Sequence, residues 1–410
     1  MFFTLVKNEL IKLFSRGKTW IVFGLFVLMV IGINVALHFS DKQMRYYQSP
    51  QGQIEQISRE IGYAKENIEM YEKELKTNPE SYIKESIEVE KERLKELDER
   101  KKVEEGKLKN GVNPNQWKED LSTEKNQLKE QLNDKGIEDG EKVNIKNRLA
   151  EIEGIEKSGI KPTETWEFSP FNNSISLMGA IGTIILVAGI AIFMSDIVSG
   201  ESTPPTLKFL LVQPISRTKV IASKFTAVVI TVLSMIVGLE VLAFGVLGVM
   251  KGFNSGKTPM FLGKKYILKA TQNYSGWQEL IPAENSGYLS DVSSHFLQSL
   301  GLQVLFIVAC CAFIFLISTL FKSSMITMAV AVIISVATTM VTMNIGKIRE
   351  FAHLIFLNYG ATPYVISGDI AQMYQNPNFS VSLGVTLMVI TIIVCPLLAA
   401  LVFKKKDILI

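Results

Sequence analysis

Apolar residues gather in long unbroken runs along this chain, while charged residues crowd into one middle block. A helix rises about 1.5 Å per residue, so roughly 20 apolar residues are needed to cross the ~30 Å hydrocarbon layer of a bilayer. Windows of that kind cover residues 19–39, 175–195, 225–250, 296–320, 323–341 and 381–403. The first follows Lys7, Lys12, Arg16 and Lys18 and resembles a secretory leader in that respect. Its apolar part is longer than a leader's usual ~7–15 residues, and no small-x-small site follows in NVALHFSD, so it reads as a retained anchor. Ahead of it, Phe3, Val6, Leu10, Leu13 and Phe14 fall on one helical face, with Lys7, Asn8 and Lys12 elsewhere. That pattern predicts a helix lying along the membrane surface.

From residue 51 to 158 the period stays helical but the surface becomes polar. Ile54, Ile57, Ile61, Ala64, Ile68, Tyr71 and Leu75 step by three and four, the spacing of a helix-packing seam, and Ile83, Ile87, Leu94 and Leu97 continue it. TNPE and NGVNPNQW each place Asn before Pro, the chemistry of a helix restart at Asn78-Pro79 and at Asn113-Pro114. The second also holds a glycine turn, and the chain is expected to reverse there. A return arm then runs through Trp117, Leu121, Leu128 and Leu132 and on through Ile145, Leu149, Ile152 and Ile155. The expectation is an antiparallel, coiled-coil-like hairpin about 60–90 Å long. Such a hairpin suits a solvated stalk, a dimer contact, or a receptor for an external ligand or cell-wall material.

Lys and Arg favour the cytoplasmic side of short loops. The first 18 residues, the loop with Lys208, Arg217, Lys219 and Lys224, the turn at Phe321-Lys322, and the tail with Lys404, Lys405 and Lys406 all fall on one side if there are six crossings. Both termini are therefore expected in the cytoplasm. Residues 40–174, 251–295 and 342–380 then lie outside. The second of these carries Lys251, Lys257, Lys264, Lys265 and Lys269 against the rule, which weakens for longer loops. The expected fold is an all-α polytopic membrane protein with six transmembrane helices and an extracytoplasmic helical hairpin between the first and second. Its parts are an interfacial helix (1–18), the first crossing (19–39), the hairpin (40–174), five further crossings (175–403) and a short tail (404–410).

Composition removes several alternatives. Of 410 residues 48% are hydrophobic and 20% charged, and the net charge of +3 is too small and dispersed for a nucleic-acid partner. Cys310, Cys311 and Cys395 all sit inside apolar runs, which leaves no disulfide framework or CxxC metal site. His38, His295 and His353 are far apart and form no paired-ligand pattern. GFNSGKT, residues 252–258, has three residues between its glycines where a phosphate loop needs four. No GxSxG elbow occurs. Nothing points to an enzyme, a metal or a cofactor within the chain. Low cysteine use and a lysine-rich external part suit a bacterial plasma membrane.

Glu240 lies near the middle of an apolar run, where a carboxylate costs about 2.5–3.5 kcal/mol on insertion scales. It must face the bundle interior and find a partner or be protonated. A substrate or ion contact and a structural hydrogen bond to Gln303, Asn34 or a threonine are both open.

The loop between the second and third runs, residues 196–224, is unusual for a connector. Asp196 and Glu201 come first, and Pro204-Pro205 stop any helix running on from the crossing. TLKFLLVQP then sets Leu207, Leu210 and Leu211 on one face until Pro214, and ISRTKVIASK leads back to the membrane. A short amphipathic helix held there is suited to docking on lipid or in a partner's groove.

Here the residues resemble a family. ESTPPTLKFLLVQPISRTKVIASK, residues 201–224, is similar to the loop of type-2 permeases of ABC (ATP-binding-cassette) exporters. VKNELIKLFSRGKTWI is similar to that family's amino-terminal helix, with Glu9 and Lys12 in its acidic-x-x-basic pattern. The family usually has Gly-Thr where this chain has Pro205-Thr206, and the long hairpin is not one of its general features. The resemblance implies short helices dipping back toward the membrane at residues 349–366. It also implies a permease that pairs with a second copy or homologue and docks separate ATP-binding subunits, ATP-Mg being held there and not in this chain. Coupling would pass through Glu201, Thr206, Lys208, Leu211, Pro214, Arg217 and Lys224, with Arg217 placed to meet partner carboxylates or inner-leaflet phosphates. The implied cargo is an antimicrobial peptide, a drug or a lipid-like molecule. The alternative is a non-transporting scaffold or sensor whose hairpin binds a ligand while the spans only anchor it.

Overall fold

A computed structural model gives the fold, and it describes residues 2–77, 81–111, 113–134, 136–202, 216–270 and 278–405. The chain divides into two compact units, residues 35–126 and the remainder.

The first unit holds α3 (Pro50–Thr77) and α4 (Ser81–Asn110), which lie antiparallel against each other. Ile57, Ile61 and Leu97 share one buried cluster, and Ala64, Ile83 and Ile87 are buried as well, so the seam read from the sequence is the packed face. Asn67 donates to Glu90 Oε1 (3.1 Å) and Lys91 pairs with Glu72 at 3.8 Å. The chain thus reverses between α3 and α4, earlier than the second Asn-Pro break at which the sequence places the reversal. Both breaks permit a turn, and the cross-helix pairing decides between them.

In the larger unit α1 (Phe2–Phe14) precedes α2 (Gly17–Gln48), which from residue 35 onward belongs to the first unit, as does α5 (Gln116–Asn133) up to residue 126. After α5 (Gln116–Asn133) and α6 (Asp139–Ser158) come α7 (Pro170–Ile181), α8 (Ile185–Met194), α9 (Arg217–Lys251), α10 (Val292–Leu320), α11 (Ser324–Asn344) and α15 (Val381–Lys405). Short α12 (Gly346–Arg349), α13 (Thr362–Ser367) and α14 (Ile370–Met373) fill the stretch before α15. Among the described residues α2, α9, α10, α11 and α15 are each long and apolar enough to cross a membrane. The α7–α8 pair passes the same test jointly but is bent by 66°, so the crossings number five, or six if the pair is one span.

Helices in lipid are held by close packing more than by the hydrophobic effect, which favours small residues where backbones approach. α10 sits at the centre, with Ala309, Cys310, Cys311, Ala312 and Ser318 fully buried. The break between α7 and α8 lies at a close approach of this kind. Gly182 and Gly360 touch backbone to backbone, such that a Cβ on either would strike the other's carbonyl, and Tyr364 covers Gly179. The segment that reaches in here overlaps residues 349–366, where the resemblance implies short helices dipping toward the membrane, and it forms two 3-10 turns (Ala352–Leu354 and Phe356–Tyr359) followed by α13. Its Leu357, Asn358, Tyr359, Ala361 and Thr362 are buried, and Asn358 holds the fold of the turns by donating to Ala352 O.

One addition to an all-α expectation lies between α9 and α10. β1 (Pro259–Leu262) pairs antiparallel with β4 (Tyr288–Asp291), and β2 (Tyr266–Ala270) with β3 (Gln278–Pro282). α6 lies on these ladders. Gly140 abuts Ile281, Gly154 abuts Pro259 and Leu289, and Glu151 Oε1 accepts from Phe261 N at 2.9 Å. On the other side Gly263 and Lys264 donate to Ile366 O and Ser367 O. Gly368, with φ +91°, passes so close to the Lys264 backbone that no side chain fits. Lys264 pairs with Asp369 at 2.7 Å, and Tyr266 donates to the same carboxylate at 2.9 Å. Burial alone would raise the Asp369 carboxyl, but the Lys264 ammonium and the bonds from Ser367 and Tyr266 outweigh it and hold it below the usual range.

Candidate functional site

The loop singled out in the sequence leaves α8 at one end of the bundle and returns into α9. Thr206, Lys208, Leu211 and Pro214 lie outside the described residues, as do Pro205 and the side chain of Glu201, whose backbone belongs to a 3-10 turn over Ser199–Ser202. Both flanks of the loop are described, and the segment running from α1 into the start of α2 bonds to each.

At the first flank Asp196 follows α8. Lys18 Nζ donates to its Oδ1 at 3.0 Å and to Ser195 Oγ at 2.9 Å, while Arg16 Nη1 donates to its Oδ2 at 3.3 Å. Arg16 belongs to the turn joining α1 to α2 and Lys18 to the first turn of α2, and the junction is fixed by Thr19 donating to Leu13 O and Trp20 to Phe14 O. The backbone N–H groups of Val198 and Ser199 meet the Ser318 hydroxyl near the end of α10. Gly200 lies against Asp196 and faces Ser324 at the start of α11.

At the second flank Lys224, within the first two turns of α9, is 1% exposed and pairs with Glu9 of α1 at 2.8 Å. A buried ammonium requires such a partner. Val220 and Ile221 are buried beside it, and Phe225 packs on Phe315 of α10 with ring centres 5.4 Å apart. Arg217 donates to Lys404 O at the end of α15 (3.3 Å).

α1 itself packs along α9, with Val6 and Leu13 buried and Phe2 and Leu10 partly so. Phe3, on the apolar face read from the sequence, is 84% exposed, so protein packing takes only part of that face. The sequence reading paired Glu9 with Lys12 only as a local pattern and counted Arg16 and Lys18 toward orientation. The signal for their role was the opposite charges at 9 and 224 and at 16, 18 and 196 on either side of one loop.

Glu9, Arg16 and Lys18 thus tie the segment from the middle of α1 to the start of α2 to both ends of the loop. The remaining candidate, Glu240, lies elsewhere on α9 and accepts from Gln303 Nε2 of α10 at 3.0 Å, both side chains being buried. Asn34, another partner considered for it, instead accepts from Asn173 of α7 at 3.0 Å. Among the described residues no group of three His, Cys, Asp or Glu side chains could hold a metal ion.

The profile of ABC-2 family transporter proteins matches residues 3–408. The chain belongs to the ABC-2 transporter family. It is a multi-pass membrane permease of the ABC type, which implies association with an ATP-binding-cassette subunit and a transport role for the chain itself. No curated protein matches it significantly.

Proposed function

We propose that this ABC-2 permease exports its substrate by converting ATP-driven closure of separate cassette subunits into movement of its spans, with residues 196–224 as the receiving loop. Six crossings, both termini in the cytoplasm of a bacterial cell, and a second copy or homologue to complete the pathway belong to this reading, as does an extracytoplasmic position for the helical hairpin of residues 40–174. ATP-Mg resides on the partner, and the cargo class is a peptide, a drug or a lipid-like molecule.

The observation that supports the reading best is the bracketing of the loop by α1 and the start of α2, through Asp196 on one side and Lys224 on the other. A loop that only joins two spans needs no such tie, whereas one that receives force must pass it to rigid elements. Glu201, Thr206, Lys208, Leu211 and Pro214 would meet the partner, Arg217 would orient the exit from the loop, and Lys224 would anchor it.

The test is co-purification with a cassette subunit, followed by ATPase measurement with wild type and Arg217→Ala. Recovery of the subunit and reduced substrate-stimulated turnover in the variant are expected. If no cassette subunit is recovered and the substitution changes nothing, coupled transport is wrong and a non-transporting anchor takes its place.

A further inference from the structure

We propose that Glu240 and Gln303 form a proton-binding site between α9 and α10, in which one proton on Glu240 Oε2 makes a second hydrogen bond, to Gln303 Oε1, and closes a cyclic acid–amide pair. The inference goes beyond the transport reading and does not depend on it.

The two side chains are already joined by the bond from Gln303 Nε2 to Glu240 Oε1 at 3.0 Å. The other atom of each group, Glu240 Oε2 and Gln303 Oε1, is buried and has no hydrogen-bond partner. With an ionised carboxyl both orphans are acceptors, and two acceptors side by side in a low-dielectric interior oppose each other. A carboxylic acid and a primary amide are complementary instead. The amide N–H donates to one carboxyl oxygen, the acid O–H donates to the amide oxygen, and both orphans are satisfied by the same proton.

Among the described residues no cation neutralises the charge. Among the described residues Glu240 has no ion-pair partner, and α9 carries no other charged side chain between Lys224 and Lys251. α7 has no titratable group, and neither does the stretch of α2 (Phe26, Met29, Val30 and Ile33) that packs beside Leu239 and Ala243 of α9. The titratable groups on the facing parts of α10 and α15 are His295, Cys310, Cys311 and Cys395.

A route for the proton runs along α10. His295, Ser299 and Gln303 are spaced by four and so share a face, all three are buried, and His295 Nδ1 and Ser299 Oγ also have no partner. His295 Nε2 is engaged with Pro363 O at 3.0 Å, next to the segment that packs into the bundle. The line leads from Glu240 toward the β-ladder end of α10.

Infrared difference spectroscopy on the full-length protein in lipid nanodiscs tests this at neutral pH. Wild type minus Glu240→Gln should show a protonated-carboxyl band that shifts on transfer to D2O, whereas carboxylate bands alone would overturn the proposal. Glu240→Gln keeps two bonds as an amide–amide pair, so its melting temperature should match wild type at neutral pH and escape the fall that wild type shows at alkaline pH. An equal alkaline fall in both would overturn it. Should that variant not accumulate, Gln303→Asn withdraws the amide and should move the carboxyl band to higher frequency, and an unmoved band refutes the ring. Ser299→Ala should slow the D2O shift, and an unchanged rate refutes the route.

Discussion

Replacing Lys224 with Met removes the charge from the Glu9 pair while keeping the length of the side chain. At 2.8 Å and an effective dielectric of about 20, the Coulomb attraction is about 6 kcal/mol, most of it offset by the cost of desolvating both ions. Lys224 is 1% and Glu9 15% exposed, so water cannot repair the loss of either partner. The single variant should therefore cost about 3–5 kcal/mol. Because both groups disappear from the same contact, Glu9→Gln with Lys224→Met should cost less than the sum of the singles, with a coupling of about 2–3 kcal/mol. Thermal melts in detergent give the four corners of the cycle, and protease sensitivity of α1 reports whether it has come loose. Strictly additive losses, or a Lys224→Met protein that melts with wild type, would show that the pair does not hold α1 to α9.

At the other flank Asp196→Asn strands Arg16 and Lys18, but the side chains are a quarter to a third exposed, so the melt should fall by only about 1 kcal/mol while cassette-dependent ATPase coupling drops clearly. A melt penalty as large as that of Lys224→Met would count against the separation of stability from coupling. Gly182→Ala should cost about 1–3 kcal/mol or prevent accumulation, because its Cβ meets the Gly360 carbonyl, whereas Gly189→Ala, which faces open space, should stay within about 0.5 kcal/mol. Size-exclusion profiles of the two variants compare them directly. The depressed carboxyl of Asp369 implies that its bonds to Lys264 and Tyr266 stabilise the β-ladder region fully above the ordinary carboxylate range and lose that effect as pH falls through the depressed value. Protease protection of residues 259–291 should decline on acidification, and Asp369→Asn should show low protection at every pH.

Much of this architecture is legible in the sequence, and the rest is not for identifiable reasons. Apolar runs alone locate α2, α9, α10, α11 and α15, and the three-four spacing alone picks out Ile57, Ile61, Ala64, Ile83, Ile87 and Leu97 as seam residues. The turn between α3 and α4 is a tie on local grounds, since both Asn-Pro sites favour restart, and it is broken by partners such as Asn67 and Glu90 that are far apart in sequence. Gly179 and Gly182 look unremarkable within an apolar window. Their consequence appears only when Gly360 and Tyr364 arrive from elsewhere in the chain. The loop's amphipathic character is plain from Leu207, Leu210 and Leu211, but its tie to α1 and the start of α2 depends on charges more than a hundred residues away.

The bend between α7 and α8 also limits how deep that pair would reach if it were one crossing. α7 has 12 residues and α8 has 10, or about 18 Å and 15 Å of helix. With α8 upright, a 66° bend leaves α7 contributing only about 7 Å of depth, so the pair spans about 22 Å of the ~30 Å hydrocarbon layer. Gly360, which follows the turns around Asn358 and Tyr359, abuts the bend at Gly182, and the polar groups of those turns bond to one another. Measured along α8, the pair offers a shorter apolar column than any of the five long helices, the shortest of which, α11, has 21 residues or about 31 Å.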